Sequence, residues 1–209
     1  MIDHRSSASG ESGGVGVKPD EAIQIFRETN ALLMGHFELR SGLHSDQYFQ
    51  CALVLRYPRI AERLCAALVE RMRAGLGSEL DRVDGVIAPA MGGIIVGHEI
   101  ARHFGVQSLF AEKQDGCLVL RRGFQINPGQ RFIVAEDVIT RGGRVQETID
   151  IVTARGGKVI CVSVLVDRSG GKARFDATAF SLLEMEPVTY DPIRCPLCER
   201  GVPVNHPGS

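Results

Sequence analysis

Arg131-Phe132-Ile133-Val134-Ala135-Glu136-Asp137-Val138-Ile139-Thr140-Arg141-Gly142-Gly143-Arg144 decides the fold. The apolar run Phe132 to Ala135 is short and bounded, as expected of a strand covered on both faces of a parallel sheet. Two adjacent carboxylates, Glu136 and Asp137, stand where the run stops. Open parallel sheets take their ligands at the carboxyl ends of strands. Gly142 and Gly143 permit a tight turn and a close backbone approach. A helix starting there aims its free amides at the same spot, which favours a phosphate. One strand end thus offers carboxylates for hydroxyls or a hydrated metal, and a nest for a phosphate. An ordinary strand-turn-helix with exposed acids is the plainer reading of this stretch taken alone.

The surroundings bound the answer. The chain has 209 residues, 44% of them hydrophobic, and a formal net charge of -1. That suits one α/β domain with a sizeable core. The balance of charge points to neither a nucleic-acid nor a membrane partner. No apolar run approaches the roughly 20 residues of a membrane span, and the N-terminus lacks the apolar segment of a secretory signal. The six cysteines are scattered, and only Cys195 and Cys198 have motif spacing. A reducing, cytoplasmic setting is expected.

Along the chain, residues 1–17 are rich in Ser and Gly and read as a disordered tail. A helix opens at Pro19-Asp20, with Ile23, Phe26, Leu32 and Leu33 on its inner face. Two strand-like pieces flank Ser41-Gly42 within 36–51. Pro58 to Ala74 is amphipathic, with Ile60, Leu64, Leu68 and Met72 inward and Arg59, Glu62, Arg63, Glu70, Arg71 and Arg73 in water. Val83 to Ala88 is a core strand running through Pro89-Ala90-Met91-Gly92-Gly93 into a helix to about Phe104, a second anion-loop pattern. Val106 to Ala111 is a strand, followed over 112–124 by a long hairpin or mobile loop. A helix from Val145 to Ala154 stops at Gly156-Gly157. Lys158 to Val166 is a strand ending in Asp167-Arg168, and Phe180 to Met185 is a last alternating strand.

The central stretch resembles the phosphoribosyl pyrophosphate (PRPP) signature of the type I phosphoribosyltransferases: apolar strand, two acids, two apolar residues, Thr, a small residue, Gly. Arg141 and Arg144 depart from it. The other segments resemble one branch, the orotate phosphoribosyltransferases, in the same order over about Phe37 to Gly171. Arg40 occupies the position of the family's hairpin lysine, and Tyr48-Phe49 that of the aromatic pair beside the pyrimidine. Pro89-Ala90-Met91-Gly92-Gly93-Ile94 matches the pyrophosphate loop, although a lysine common at Gly92 is missing. Lys113 matches one cation of a basic loop that closes over the site and serves the neighbouring subunit. The rest of that loop's pattern is absent, with Arg121 and Arg122 as substitutes. Asp167-Arg168 matches the pair whose arginine binds the substrate carboxylate.

The resemblance implies an α/β fold, a Rossmann-like parallel sheet flanked by helices with a small N-terminal hood. The hood is about 18–56 plus the C-terminal tail, and the core about 57–186, within one domain over 18–209. It implies transfer of the phosphoribosyl group from PRPP to orotate, with Mg²⁺ carried by PRPP rather than by an all-protein site. Glu136 and Asp137 would take the ribose hydroxyls, directly or through waters on the metal. Val138, Ile139, Thr140, Arg141, Gly142, Gly143 and Arg144 would hold the 5′-phosphate end of PRPP. Met91, Gly92 and Lys113 would take its pyrophosphate, and Arg40 would also bind PRPP. Tyr48, Phe49, Thr140 and Arg168 would bind orotate, and Lys113, Glu136 and Asp137 would carry catalysis. A homodimer is implied. Two alternatives stay open: a transferase for a purine or another base, and a non-catalytic PRPP- or nucleotide-binding regulator.

Cys195-Pro196-Leu197-Cys198 supplies half the ligands of a zinc site. With His206 added one ligand is still missing, so a reduced structural pair is the expected reading.

Overall fold

The computed structural model describes residues 17–39, 41–186 and 188–207. Its core is a six-stranded sheet in the order β5-β4-β3-β6-β7-β8. These strands are β3 (Gly85–Pro89), β4 (Gln107–Gln114), β5 (Cys117–Leu120), β6 (Arg131–Ile139), β7 (Lys158–Asp167) and β8 (Thr178–Glu184). All neighbours are parallel except β4 and β5, which form an antiparallel hairpin.

Residue alternation sorts the two faces. Val86, Ala88, Ile133, Ala135 and Leu165 pack with α3 (Pro58–Leu76) and α4 (Gly92–Phe104). Ile87, Phe132, Val134, Val162 and Val164 pack with Val145, Ile149 and Val152 of α5 (Gly143–Thr153). Side chains alternate across a strand, so a strand covered on both sides must be apolar at every position. That is why Phe132 to Ala135 reads as an unbroken apolar run.

The chain reverses direction across the sheet between β3 and β6. From β3 it proceeds to β4 on one side, and from β6 to β7 on the other. α4 and α5, the helices that follow these two central strands, lie on opposite faces. Their N-termini therefore flank one crevice at the carboxyl edge, where open α/β sheets bind ligands.

A smaller sheet, β1-β2-β9, stands apart. β1 (Leu32–Glu38) and β2 (His44–Phe49) are antiparallel, and β9 (Thr189–Tyr190) pairs with His44 and Ser45. The hood is thus closed by the C-terminal tail, which continues through a 3₁₀ turn (Pro192–Arg194) to α6 (Pro196–Glu199). A short helix α2 (Cys51–Leu55) joins the hood to α3.

Three expectations need correction. The first helix, α1 (Pro19–Glu28), ends before Leu32 and Leu33, which belong to β1. Asn30 takes φ 57 just after it, a left-handed turn that Asn tolerates and that redirects the chain. The inner face of α1 is Ala22, Ile25 and Phe26, with Ile23 partly buried against the same core. Arg71 does not simply face water: its Nη1 donates to the carbonyls of Ser181 and Leu182 at 2.7 and 2.9 Å, tying α3 to β8. Val17, assigned to the tail, is buried in the core; the rest of the expected tail lies outside the described residues.

Candidate active site

β6 delivers the two acids to the crevice in different states. Glu136 is 2% exposed, whereas Asp137 is half-buried. Glu136 Oε1 accepts from the Asp137 amide at 3.1 Å, and Asp137 Oδ1 accepts from the Val138 amide at 2.9 Å. Burial, then the neighbouring Asp137 charge, push the Glu136 carboxyl up to about 9, against a smaller opposing pull from Arg144. Glu136 is thus held in its protonated form at neutral pH.

Both carboxyls press against the start of α4. A Cβ added to Gly92 would collide with Asp137 Oδ2, and one on Gly93 would stand 3.0 Å from Glu136 Oε1. Any side chain at Gly92 would displace the Asp137 carboxylate. The Ala90–Met91 peptide is cis, and the Met91 side chain is 80% exposed at the helix start. The Ala90 amide donates to Ala111 O at 2.8 Å, which fixes this loop to β4.

On the other side of the acids, Thr140 and Arg141 lead to Gly142, whose φ of 78 starts α5. The first helical bond runs from the Gln146 amide to Gly142 O at 2.9 Å. The amides of the first turn precede that bond and have no partner within the helix. Thr140, Arg141, Gly143 and Arg144 are exposed around them. Gly142 is itself buried: an added Cβ would lie 2.9 Å from Phe175 Cζ and 3.1 Å from Ala173 Cβ. The segment after β7 therefore covers this turn, and an open cleft of about 500 Å³ lined by Asp167, Gly170, Ala173 and Phe175 runs beside it.

β7 carries Arg168 to the same edge, where its amide donates to Ile139 O at 2.8 Å. Its guanidinium carbon lies 5.2 Å from the Phe49 ring centroid. Nε is buried with no hydrogen-bond partner, and Asp167 is turned away to accept from the Ser169 amide at 2.7 Å. Burial lowers the Arg168 pKa, opposed by Cys51 and Tyr48. A half-buried guanidinium with an unused donor, over an aromatic face, is prepared for a planar anion.

Tyr48 and Phe49 are both at the site but do not act as a stacked pair. They are neighbours on a strand and face opposite ways. Phe49 is buried edge-on against Phe26, with ring centroids 5.9 Å apart, while Tyr48 packs on Phe37 at 5.7 Å. Arg40 lies outside the described residues.

Lys113 is not gathered with the acids. It is exposed on the β4–β5 hairpin, paired with Leu118 beyond the last β4 residue that pairs with β3. The expected loop over 112–124 begins as this hairpin, turned by Asp115 (φ 51) and Gly116 (φ 92), as a two-residue type I′ turn requires. Arg122 is not a spare cation. It pairs with Glu112 at 2.6 Å and lies 5.7 Å from the Phe110 ring centroid. Cys51, which the sequence reading passed over, belongs to the site: its Sγ lies 3.8 Å from Asp137 O. Burial and the adjacent acids raise its thiol well above the usual range, so it stays protonated. Only its place one residue beyond Gln50, next to the aromatic pair, hinted at this.

Comparison with known proteins fits this geometry. Residues 62–199 match the phosphoribosyl transferase domain model. The chain is 50% identical over 190 residues to the orotate phosphoribosyltransferase of Desulforamulus reducens, covering 91% of this chain and 96% of that one. It belongs to the orotate phosphoribosyltransferase family. The enzyme of that name from Carboxydothermus hydrogenoformans is 49% identical over 191 residues, covering 90% and 97%. Among solved structures, the orotate phosphoribosyltransferase of Aeropyrum pernix superposes with a TM-score of 0.65 at 23% identity, over 78% of this chain and 93% of that one. An adenine phosphoribosyltransferase from Rhodothermus marinus gives 0.59 at 18% identity, over 79% and 99%. The fold is therefore the type I phosphoribosyltransferase fold, shared by enzymes with different bases.

Proposed function

We propose that this chain transfers the 5-phosphoribosyl group from PRPP to orotate, giving orotidine 5′-monophosphate and pyrophosphate, a step of pyrimidine synthesis. The observation that carries the choice of base is Arg168, half-buried, unpaired with Asp167 and set over Phe49. A purine offers no carboxylate to such a group. The relatives near 50% identity are named for the same reaction.

Each part of PRPP has a counterpart. The α5 N-terminus from Thr140 to Arg144, with two exposed arginines, suits the 5′-phosphate. The Met91-Gly92 turn at the α4 N-terminus suits the pyrophosphate. Glu136 and Asp137 stand between them, where the ribose hydroxyls would lie. The carboxylate of Asp137 also favours positive charge developing on the ribose ring as the pyrophosphate departs. Arg168 and the Tyr48-Phe49 strand orient orotate, whose ring nitrogen attacks once deprotonated. No nucleophilic side chain is required.

The residues present fit Mg²⁺. Two oxygen ligands at one strand end, one of them half-buried, suit a hard cation that keeps most of its waters and bridges to phosphate oxygens. Asp137 and Glu136 would hold such an ion, and it would supply charge neutralisation to the leaving group. We further propose a cytoplasmic homodimer in which Lys113 approaches the pyrophosphate of the neighbouring site. Its exposure on a projecting hairpin supports this. Among the described residues no helix is long and apolar enough to cross a membrane.

A base panel tests the reading. Purified protein with PRPP and Mg²⁺ is offered orotate, uracil, adenine and hypoxanthine, and pyrophosphate release is measured. Release with orotate alone is expected. Release with a purine and none with orotate would overturn it, and PRPP binding without turnover on any base would favour a regulator.

A further inference from the structure

Four metal-binding side chains from three separated segments meet in the hood, away from the acids of β6. His36 is on β1, His44 on β2, and in the tail Cys195 caps the start of α6 and Cys198 lies within it. Their donor atoms all lie within 4.8 Å of one another. His36 and Cys195 are 0% and 1% exposed, His44 is buried, and Cys198 sits at the outer edge. His206, the other candidate ligand, is elsewhere: its Nδ1 faces Glu38 at 3.4 Å.

The hydrogen bonding among these groups is crowded onto too few acceptors. His36 Nδ1 lies 2.7 Å from Val202 O, a carbonyl that can only accept, so Nδ1 bears the proton and Nε2 a lone pair. Three groups crowd that single acceptor: His44 Nδ1 at 2.8 Å, Cys195 Sγ at 3.5 Å and Cys198 Sγ at 3.7 Å. Cys198 Sγ is also 3.4 Å from His44 Nδ1. One lone pair serves one donor, so the convergence of three is unexplained by hydrogen bonding. All six cysteines are free, including this pair.

A tetrahedral centre explains it. Bonds of roughly 2.3 Å to sulfur and 2.0–2.1 Å to nitrogen give S···N edges of about 3.6 Å. Three of the four sulfur–nitrogen separations, at 3.4, 3.5 and 3.7 Å, bracket that value, and the fourth lies within 4.8 Å. The two rings need to part by about half an ångström to seat the ion. Two thiolates and two neutral imidazoles neutralise a divalent ion, which suits a buried site. The Val202 carbonyl orients His36, as an outer partner does for a metal-bound histidine. Four protein ligands leave no open position, so the site is structural rather than catalytic.

We propose that His36, His44, Cys195 and Cys198 hold one zinc ion that staples the C-terminal tail to the hood hairpin. The staple acts together with the backbone bonds from the Asn205 amide to His36 O (2.7 Å) and from the Glu38 amide to Asn205 O (3.1 Å). It also anchors the strand that ends in Tyr48 and Phe49, and it does so independently of the reaction assigned above.

Elemental mass spectrometry of the purified full-length protein tests this without an activity readout. One zinc per chain is expected, and cobalt substitution should give the visible bands of a tetrahedral thiolate site. Cys198→Ser, at the exposed edge, should weaken zinc binding by at least about tenfold, as measured by competition with a chromophoric chelator. It should leave the circular dichroism spectrum unchanged in saturating zinc. A protein that folds with well under one equivalent of metal, shows no cobalt bands, and whose two tail thiols react with a thiol reagent equally fast with and without added zinc would overturn the proposal. So would a Cys195–Cys198 disulfide in protein purified under reducing conditions.

Discussion

The guanidinium carbon of Arg168 lies 5.2 Å from the centroid of the Phe49 ring, bringing the end of β7 onto the hood hairpin. Nothing else in the described residues satisfies its buried Nε. Removing the charge leaves an incoming carboxylate without its partner, a loss of roughly 2–4 kcal/mol, or about 30- to 1,000-fold in kcat/KM for orotate. Arg168→Ala should show that loss and should narrow the preference for orotate over uracil, which lacks the carboxylate. Arg168→Lys should recover little of it, because a point charge replaces a fork. Steady-state kinetics on both bases decide the matter; an unchanged orotate-to-uracil ratio would remove Arg168 from recognition.

Gly142 combines a positive φ of 78 with contacts that leave no room for a methyl group. Gly142→Ala should raise the KM for PRPP at least about tenfold and cost about 1–3 kcal/mol of stability. Gly143, with nothing near a Cβ, should tolerate alanine better. PRPP titrations and thermal melts of the two variants, run side by side, test the contrast.

Glu136 keeps its proton up to about pH 9 in the folded protein. The unfolded chain loses that proton near about pH 4.3. Between these values the folded state binds more protons than the unfolded one, so this group's contribution to stability falls as pH rises through the window and levels off above it. Glu136→Gln removes the titration. The difference in Tm between the variant and the wild type should therefore move in the variant's favour from pH 5 to pH 9. Melting curves across that range check the sign; a difference independent of pH would show that the carboxyl ionises normally.

Lys113 on the β4–β5 hairpin gives a test of subunit sharing. Lys113→Ala and Asp137→Asn should each be nearly inactive as pure proteins. If Lys113 serves its neighbour's site, an equimolar mixture after subunit exchange contains half heterodimers, each with one intact site, and recovers about a quarter of wild-type activity. Recovery near zero would place Lys113 in the site of its own chain.

The strand-turn-helix at 131–144 was legible because its signals are local. An unbroken apolar run, an acid pair and two glycines each act within a few residues of themselves. The small-residue loop from β3 into α4 and the Asp167-Arg168 strand end were legible for the same reason. What escaped depended on distant partners. Leu32 and Leu33 fit a helical period until Asn30 turns the chain, and Arg122 looked free until Glu112 stood opposite it. Cys51 gains meaning only beside Asp137. His36 and His44 have no metal-ligand spacing of their own, being split across a hairpin about 160 residues from the cysteines they meet. β9, a two-residue strand too short to read, and the backbone bonds of Asn205 to β1 bring the tail back to them.

The most direct measurement is the fall in orotate absorbance when the purified protein is given PRPP, with and without Mg²⁺, alongside pyrophosphate release. The account predicts Mg²⁺-dependent loss of orotate, matched one for one by pyrophosphate. Pyrophosphate release with orotate untouched, or no reaction despite measurable PRPP binding, would contradict it.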